Sequence, residues 1–165
     1  METVHDGGAM SLNTSYVMTI LGEDRPGLVK SIAGAVAEHG GNWVESRMSH
    51  LAGQFAGIVR FRAPEDQEEG LREALGKLDL IVTVQKSAEA DARGKTVKME
   101  LVGGDRPGIV RDVFNGLAGH GINVEELETQ IISAPMSGEF LFTAKATLSV
   151  PESTTTDAIR EALAA

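Results

Sequence analysis

Apolar residues along this chain alternate between two spacings, and the change of spacing marks the elements. Tyr16 to Leu21 is rich in β-formers and ends at Gly22, which predicts a strand followed by a turn. From Gly27 onward Leu28, Ile32, Ala35, Val36 and His39 recur at helical spacing, and Gly40 and Gly41 end that helix. Asn42 to His50 reads as a second strand and Phe55 to Phe61 as a third. In the third, Phe55, Gly57, Val59 and Phe61 share one face while Arg60 and Arg62 take the other, which implies a sheet with one open face. Gln67 to Lys77 carries an apolar stripe of Leu71, Ala74, Leu75 and Leu78, and Leu80 to Val84 supplies a fourth strand. The predicted order is β-α-β-β-α-β.

The same order then begins again. Gly22 to Glu45 (GEDRPGLVKSIAGAVAEHGGNWVE) matches Gly103 to Glu126 (GGDRPGIVRDVFNGLAGHGINVEE) at an offset of 81 residues, with 11 of 24 positions identical. Asp-Arg-Pro-Gly occurs at residues 24–27 and 105–108, and His-Gly-x-Asn at 39–42 and 120–123. Two such groups at one separation, twice, indicate a duplicated supersecondary unit. The second copy is expected to run as a strand over Thr96 to Val102 and a helix from about Gly108 to His120. Strands over Ile122 to Ser133 and Glu139 to Val150 follow, then a helix from near Ser153 carrying Ile159 and Leu163. Its β-hairpin loop, in which Ala134 to Gly138 lies, is expected to be four residues longer. No residues remain for a fourth strand, so with spatial order 4-1-3-2 the strand Thr96 to Val102 would be a bare edge. The N-terminal extension, a partner chain or a truncation would each account for it.

The polar run Lys86 to Lys95 has linker composition. The expected organisation is a flexible extension over 1–13, a first domain over 14–86, a linker over 87–94 and a second domain over 95–165. Two half-sized units bury proportionally less surface than one large domain and are expected to lean on each other.

At each repeated corner the residue types suit both chain-turning and ligand-holding. Asp24 and Asp105 are expected to cap the helix that follows, Pro26 and Pro107 have no N–H to leave unpaired, and Arg25 and Arg106 are biased to extended backbone by the proline after them. Gly27 and Gly108 permit close approach to helix N–H groups, which together with the helix dipole can hold a carboxylate. Asn42 and Asn123 can donate and accept at once, as orienting a zwitterion requires. His39 and His120 are expected to bond the last helical carbonyls, and Trp43, replaced by Val124 in the second copy, to pack.

Composition narrows the function classes. The chain has 165 residues and a formal net charge of −9 without a clustered basic patch, which argues against direct nucleic-acid binding. It has no cysteine, so disulfides and thiolate chemistry are excluded. No segment approaches the roughly 20 apolar residues of a membrane span, and the acidic start is unlike a signal peptide, so cytoplasmic residence is the expectation. Neither a nucleophile–base set, nor a metal cluster, nor a GxGxxG or P-loop motif is present, so no catalytic residue, metal or cofactor is expected.

The repeated Asp-Arg-Pro-Gly corner and the Gly-x-Asn downstream resemble the ACT domain family, small ferredoxin-like regulatory modules. The tandem arrangement is similar to the glycine cleavage system transcriptional repressor group. The resemblance implies amino acid binding at interfaces between modules. It carries over to Asp24, Arg25, Pro26, Gly27 and Asn42, and to Asp105, Arg106, Pro107, Gly108 and Asn123. Sites of this kind for serine-like ligands often have Asn where this chain has Asp24 and Asp105. A carboxylate there receives an amino group but repels a ligand carboxylate. The resemblance further implies a homodimer acting through a protein partner rather than by touching DNA. The alternatives are a scaffold whose ligand site has lapsed, or a regulatory module of an amino acid or folate enzyme.

Overall fold

A computed structural model describes residues 13–87 and 94–164, and the chain divides into two compact units at Ala90/Asp91. The first unit contains strand β1 (Asn13–Glu23), helix α1 (Leu28–Glu38), β2 (Asn42–Leu51) and β3 (Gln54–Pro64). A 3-10 turn (Glu65–Gln67), helix α2 (Glu68–Gly76) and β4 (Ile81–Lys86) complete it. Its sheet is antiparallel in the order β2-β3-β1-β4, the ferredoxin-like arrangement of the β-α-β-β-α-β pattern. The second unit contains β5 (Lys95–Gly104), α3 (Ile109–Gly119), β6 (Asn123–Ser133), β7 (Phe140–Val150) and α4 (Thr156–Ala164). Its three strands take the order β5-β7-β6, so the fourth position is empty among the described residues.

The alternating pattern of β3 divides as the apolar positions require. Phe55, Val59, Phe61 and Ala63 are buried on the helix side, and Arg60 and Arg62 lie on the open side. Against them α1 buries Leu28, Ile32, Ala35 and Val36, while α2 buries Leu71 and Leu75. Tyr16 stacks on Phe61 with ring centroids 5.4 Å apart. Together with Met18, Ile20 and Val84 these side chains form the first core. The second core is smaller: Met99, Leu117, Ile122, Ala146, Leu148, Val150, Ile159 and Ala162. There α3 and α4 pass so closely that a Cβ on Gly116 would lie 2.3 Å from the Ala162 carbonyl oxygen.

The structure moves several expected boundaries. β1 continues through Gly22 to Glu23, because Gly22 and Glu23 stay in register with Phe55 and Gln54. The hairpin loop of the second unit is four residues longer, as expected: 134–139 lies between β6 and β7, where 52–53 lies between β2 and β3. Each strand of the second hairpin also gains one paired residue, so Asn123 pairs with Ser149, 26 positions on, while Asn42 pairs with Arg62, 20 positions on. Residues 1–12 of the N-terminal extension and 88–93 of the linker lie outside the described residues.

Candidate ligand site at the repeated corners

Both copies of Asp-Arg-Pro-Gly form the same backbone corner between the first strand and the first helix. Gly27 and Gly108 both have φ 83° and ψ 3°, left-handed geometry that favours glycine. Each glycine is the helix N-cap, and its carbonyl accepts the first helical bond, from Ser31 N–H in one unit and Asp112 N–H in the other, both at 3.0 Å. This corrects the expected cap. Asp24 and Asp105 do not cap the helices, which begin four residues later and have no side-chain cap. The proline biases the arginine before it to extended backbone, so the chain turns a corner before the helix starts. The Asp24 N–H instead bonds the Gly53 carbonyl, and the Asp105 N–H bonds that of Phe140. Gly27 serves for φ rather than for close packing, since a Cβ there would meet nothing within 4 Å, whereas a Cβ on Gly108 would lie 2.8 Å from the Arg111 guanidinium.

The side chains around the two corners differ. In the first unit the Asp24 carboxylate lies 3.5 Å from His50 Nδ1 on β2, and the Arg25 guanidinium donates to the Leu78 carbonyl in the loop before β4. No acidic residue occupies the first turn of α1. In the second unit Asp112 stands in the first turn of α3, where the first unit has Ser31. Its carboxylate receives Arg106 at 2.6 Å and Arg111 at 3.2 Å. The Arg106 hydrogen bond first, then that of Arg111, hold the Asp112 carboxyl below the ordinary carboxylate range. The second corner therefore carries its own anion at the helix start.

Within one unit the asparagines are not beside the corners. Asn42 pairs with Arg62, which in turn faces Ser15, nine positions before Asp24 along β1. At about 3.4 Å per residue that separation is about 30 Å. Asn123, at the corresponding end of its own sheet, donates to Glu125 at 3.1 Å. Both asparagines are exposed and each precedes a β-bulge, between Trp43 and Glu45 and between Val124 and Glu126. The histidines behave as their position predicts: His39 Nδ1 is 2.8 Å from the Ala35 carbonyl, and His120 Nδ1 is 2.9 Å from that of Gly116. Trp43 packs against the first core and donates to Ser46 at 3.1 Å. His50 as a neighbour of Asp24, and Asp112 as a neighbour of Arg106, were not legible beforehand. The only available sign was that neither position is repeated in the other copy.

Residues 14–85 match the model of the ACT domain family. The chain contains an ACT domain. Among solved structures, an unknown protein from Galdieria sulphuraria is 28% identical, with a TM-score of 0.80 over 92% of this chain and 90% of that one. A protein provisionally described as a glycine cleavage system transcriptional repressor superposes with a TM-score of 0.67 at 20% identity, over 91% and 88% of the two chains. That second likeness extends to the fold. No curated protein matches the chain. No described helix is long and apolar enough to cross a membrane. Among the described residues no three His, Asp or Glu side chains are grouped to hold a metal ion.

Proposed function

We propose that this chain is an amino acid-responsive regulatory protein in which the first unit is the sensing copy. The observation that carries this reading is the contrast between the two corners. The start of α1 has neither a side-chain cap nor an acidic residue in its first turn, so its N–H groups are available to a ligand carboxylate. Asp24, exposed beside His50, is the group for the ligand's amino end. Arg25, Pro26 and Gly27 shape the corner. In the second unit Asp112 occupies the corresponding place, so Asp105, Arg106, Pro107 and Gly108 keep the shape while Arg106 is committed within the chain. Asn42 and Asn123 act in binding only where another ACT-like unit, of this chain or of a second copy, brings the far end of its sheet to a corner. Binding would regulate by favouring one state of that assembly over another, and so the affinity for a protein partner. On the resemblance set out above, glycine cleavage gene expression is the first setting in which to look for that partner.

The test is a thermal-shift series on the full chain with glycine, serine and the remaining L-amino acids, repeated with the D-enantiomers. A native-state ligand at 100 times its dissociation constant adds about 2.7 kcal/mol of apparent stability, so millimolar binding is readable. One or two amino acids are expected to raise the midpoint, with the L-form preferred. The rise should vanish in Asp24→Ala and survive in Asp105→Ala. If no amino acid moves the midpoint of the folded chain, the sensing role is wrong and the scaffold alternative stands.

A further inference from the structure

The open face of the second sheet supports an inference that is independent of the corner site. In the first unit Glu45 on β2 and Arg60 on β3 face each other across neighbouring strands, and Arg60 donates to the Glu45 carboxylate at 2.9 Å. Val17 of β1 stands on the other side of Arg60. The matching row of the second unit reads Glu126 on β6, Thr147 on β7 and Lys98 on β5. The glutamate is kept, but the cation stands one strand further off, and a short neutral side chain lies between the two charges. Where the first unit has a closed ion pair, the second has a concavity of about 280 Å³. Its charged walls are Glu126 and Glu128 on one side and Lys98 and Glu100 on the other, with Lys145 beside Thr147 in the middle. Lys145 stands between Glu128 and Glu100 in its own row and counters both alike. The polarity across the concavity is therefore set by Glu126 against Lys98.

We propose that this concavity binds a short ω-amino acid, with its ammonium group on Glu126 and its carboxylate on Lys98. Strands two apart in a sheet are separated by about 9.5 Å. Two charge-assisted hydrogen bonds of about 2.8 Å each leave about 4 Å for the ligand between its charged ends. In an α-amino acid the nitrogen and the carboxylate carbon are only about 2.5 Å apart, too close to reach both walls. One or two further methylene groups supply the difference. The ligand then takes the place that the Arg60 side chain holds in the first unit, bridging a glutamate to the strand on the other side. A molecule with one charge satisfies one wall and leaves the other to water, so both ends are needed for affinity.

Two-dimensional NMR of the full chain, titrated with β-alanine and 4-aminobutyrate and in parallel with glycine, butyrate and butylamine, tests this. At least one of the two ω-amino acids is expected to shift the amides of Lys98, Glu126 and Thr147 saturably. The other three compounds are expected to act on those amides at least about tenfold more weakly. Thr147→Arg rebuilds the pair of the first unit and should weaken binding about tenfold while keeping native circular dichroism. Lys98→Glu and Glu126→Lys should each do the same, and the double reversal should recover binding with the ligand turned end for end. Asp24→Ala should leave these shifts unchanged, which separates this site from the corner. No saturable shift with either ω-amino acid, equal binding of butyrate or butylamine, or full binding in Thr147→Arg would each overturn the proposal. If Thr147→Arg lacks native circular dichroism, Lys98→Met takes its place, and full binding there counts equally against it.

Discussion

The two units share a backbone and differ in what surrounds it. Both place a glycine at φ 83° before the first helix, both return a histidine to a carbonyl four residues earlier, and both bulge the second strand after its asparagine. Around that common frame the first unit has a four-stranded sheet and the aromatic pair Tyr16–Phe61, while the second has three strands and a core led by Leu117, Leu148 and Val150. At the corner Ser31 stands in one and Asp112 in the other, and on the second strand His50 in one and Ile131 in the other. The repeated residues are therefore those that fix backbone conformation. The side chains that make the two corners differ, His50 and Asp112, are unrepeated ones.

The largest effects are expected where the cores are compared directly. Phe61 and Leu148 occupy matching positions and are fully buried. Leu148→Ala should cost about 2–5 kcal/mol and Phe61→Ala about 3–5 kcal/mol. Because Trp43 is the only tryptophan and packs on the first core, its fluorescence reports that unit while far-ultraviolet circular dichroism reports both. In urea, Leu148→Ala should shift the dichroism transition and leave that of Trp43 in place. Coincident shifts in both probes would show that the units do not unfold separately.

The next effect separates helix packing from helix propensity. Gly116→Ala puts a methyl against the Ala162 carbonyl and should destabilise the second unit by about 1–3 kcal/mol. Propensity alone predicts a gain of about 1 kcal/mol at an interior helical glycine. The first unit already has Ala35 at the matching position. A raised melting temperature in Gly116→Ala would mean that α3 and α4 stand further apart than this contact requires.

The smallest effect concerns pH and belongs to the first unit alone. The Tyr16 hydroxyl is sealed from solvent without a well-formed hydrogen bond. Burial, and then the Glu68 carboxylate, raise its pKa above the ordinary 10.0. A raised folded-state value contributes stability below pH 10 that is lost as pH climbs through that value. Tyr16→Phe should therefore be near neutral in stability at pH 7 and flatten the alkaline decline followed by Trp43 fluorescence. Glu68 acts on the opposite limb. Its carboxyl is held low chiefly by the Arg72 hydrogen bond, so its contribution is present above pH 4.5 and fades as pH falls through the lowered value. An alkaline profile unchanged by Tyr16→Phe would remove the tyrosine from this account.

Much of this protein was legible in the sequence because the signals were local. Period-two alternation in Phe55 to Phe61, helical spacing from Leu28 to Val36 and the repeated Pro-Gly corner depend on neighbouring residues, and they determined the duplicated β-α-β-β-α-β order. The strand order also followed from the topology that this order implies. Other features needed tertiary structure. Aspartate reads as a cap from sequence, but where Asp24 points depends on the extended backbone before Pro26 and on its bond to Gly53. The one extra pair of strand residues in the second hairpin emerges only from the register of Asn123 with Ser149. That Asn42 lies about 30 Å from Asp24 is a consequence of the helix running back along the sheet. Residues 18 positions apart in the chain look like one site, yet α1 carries the second of them to the opposite end of the strands. Local spacing specifies elements, and only their packing determines which side chains meet.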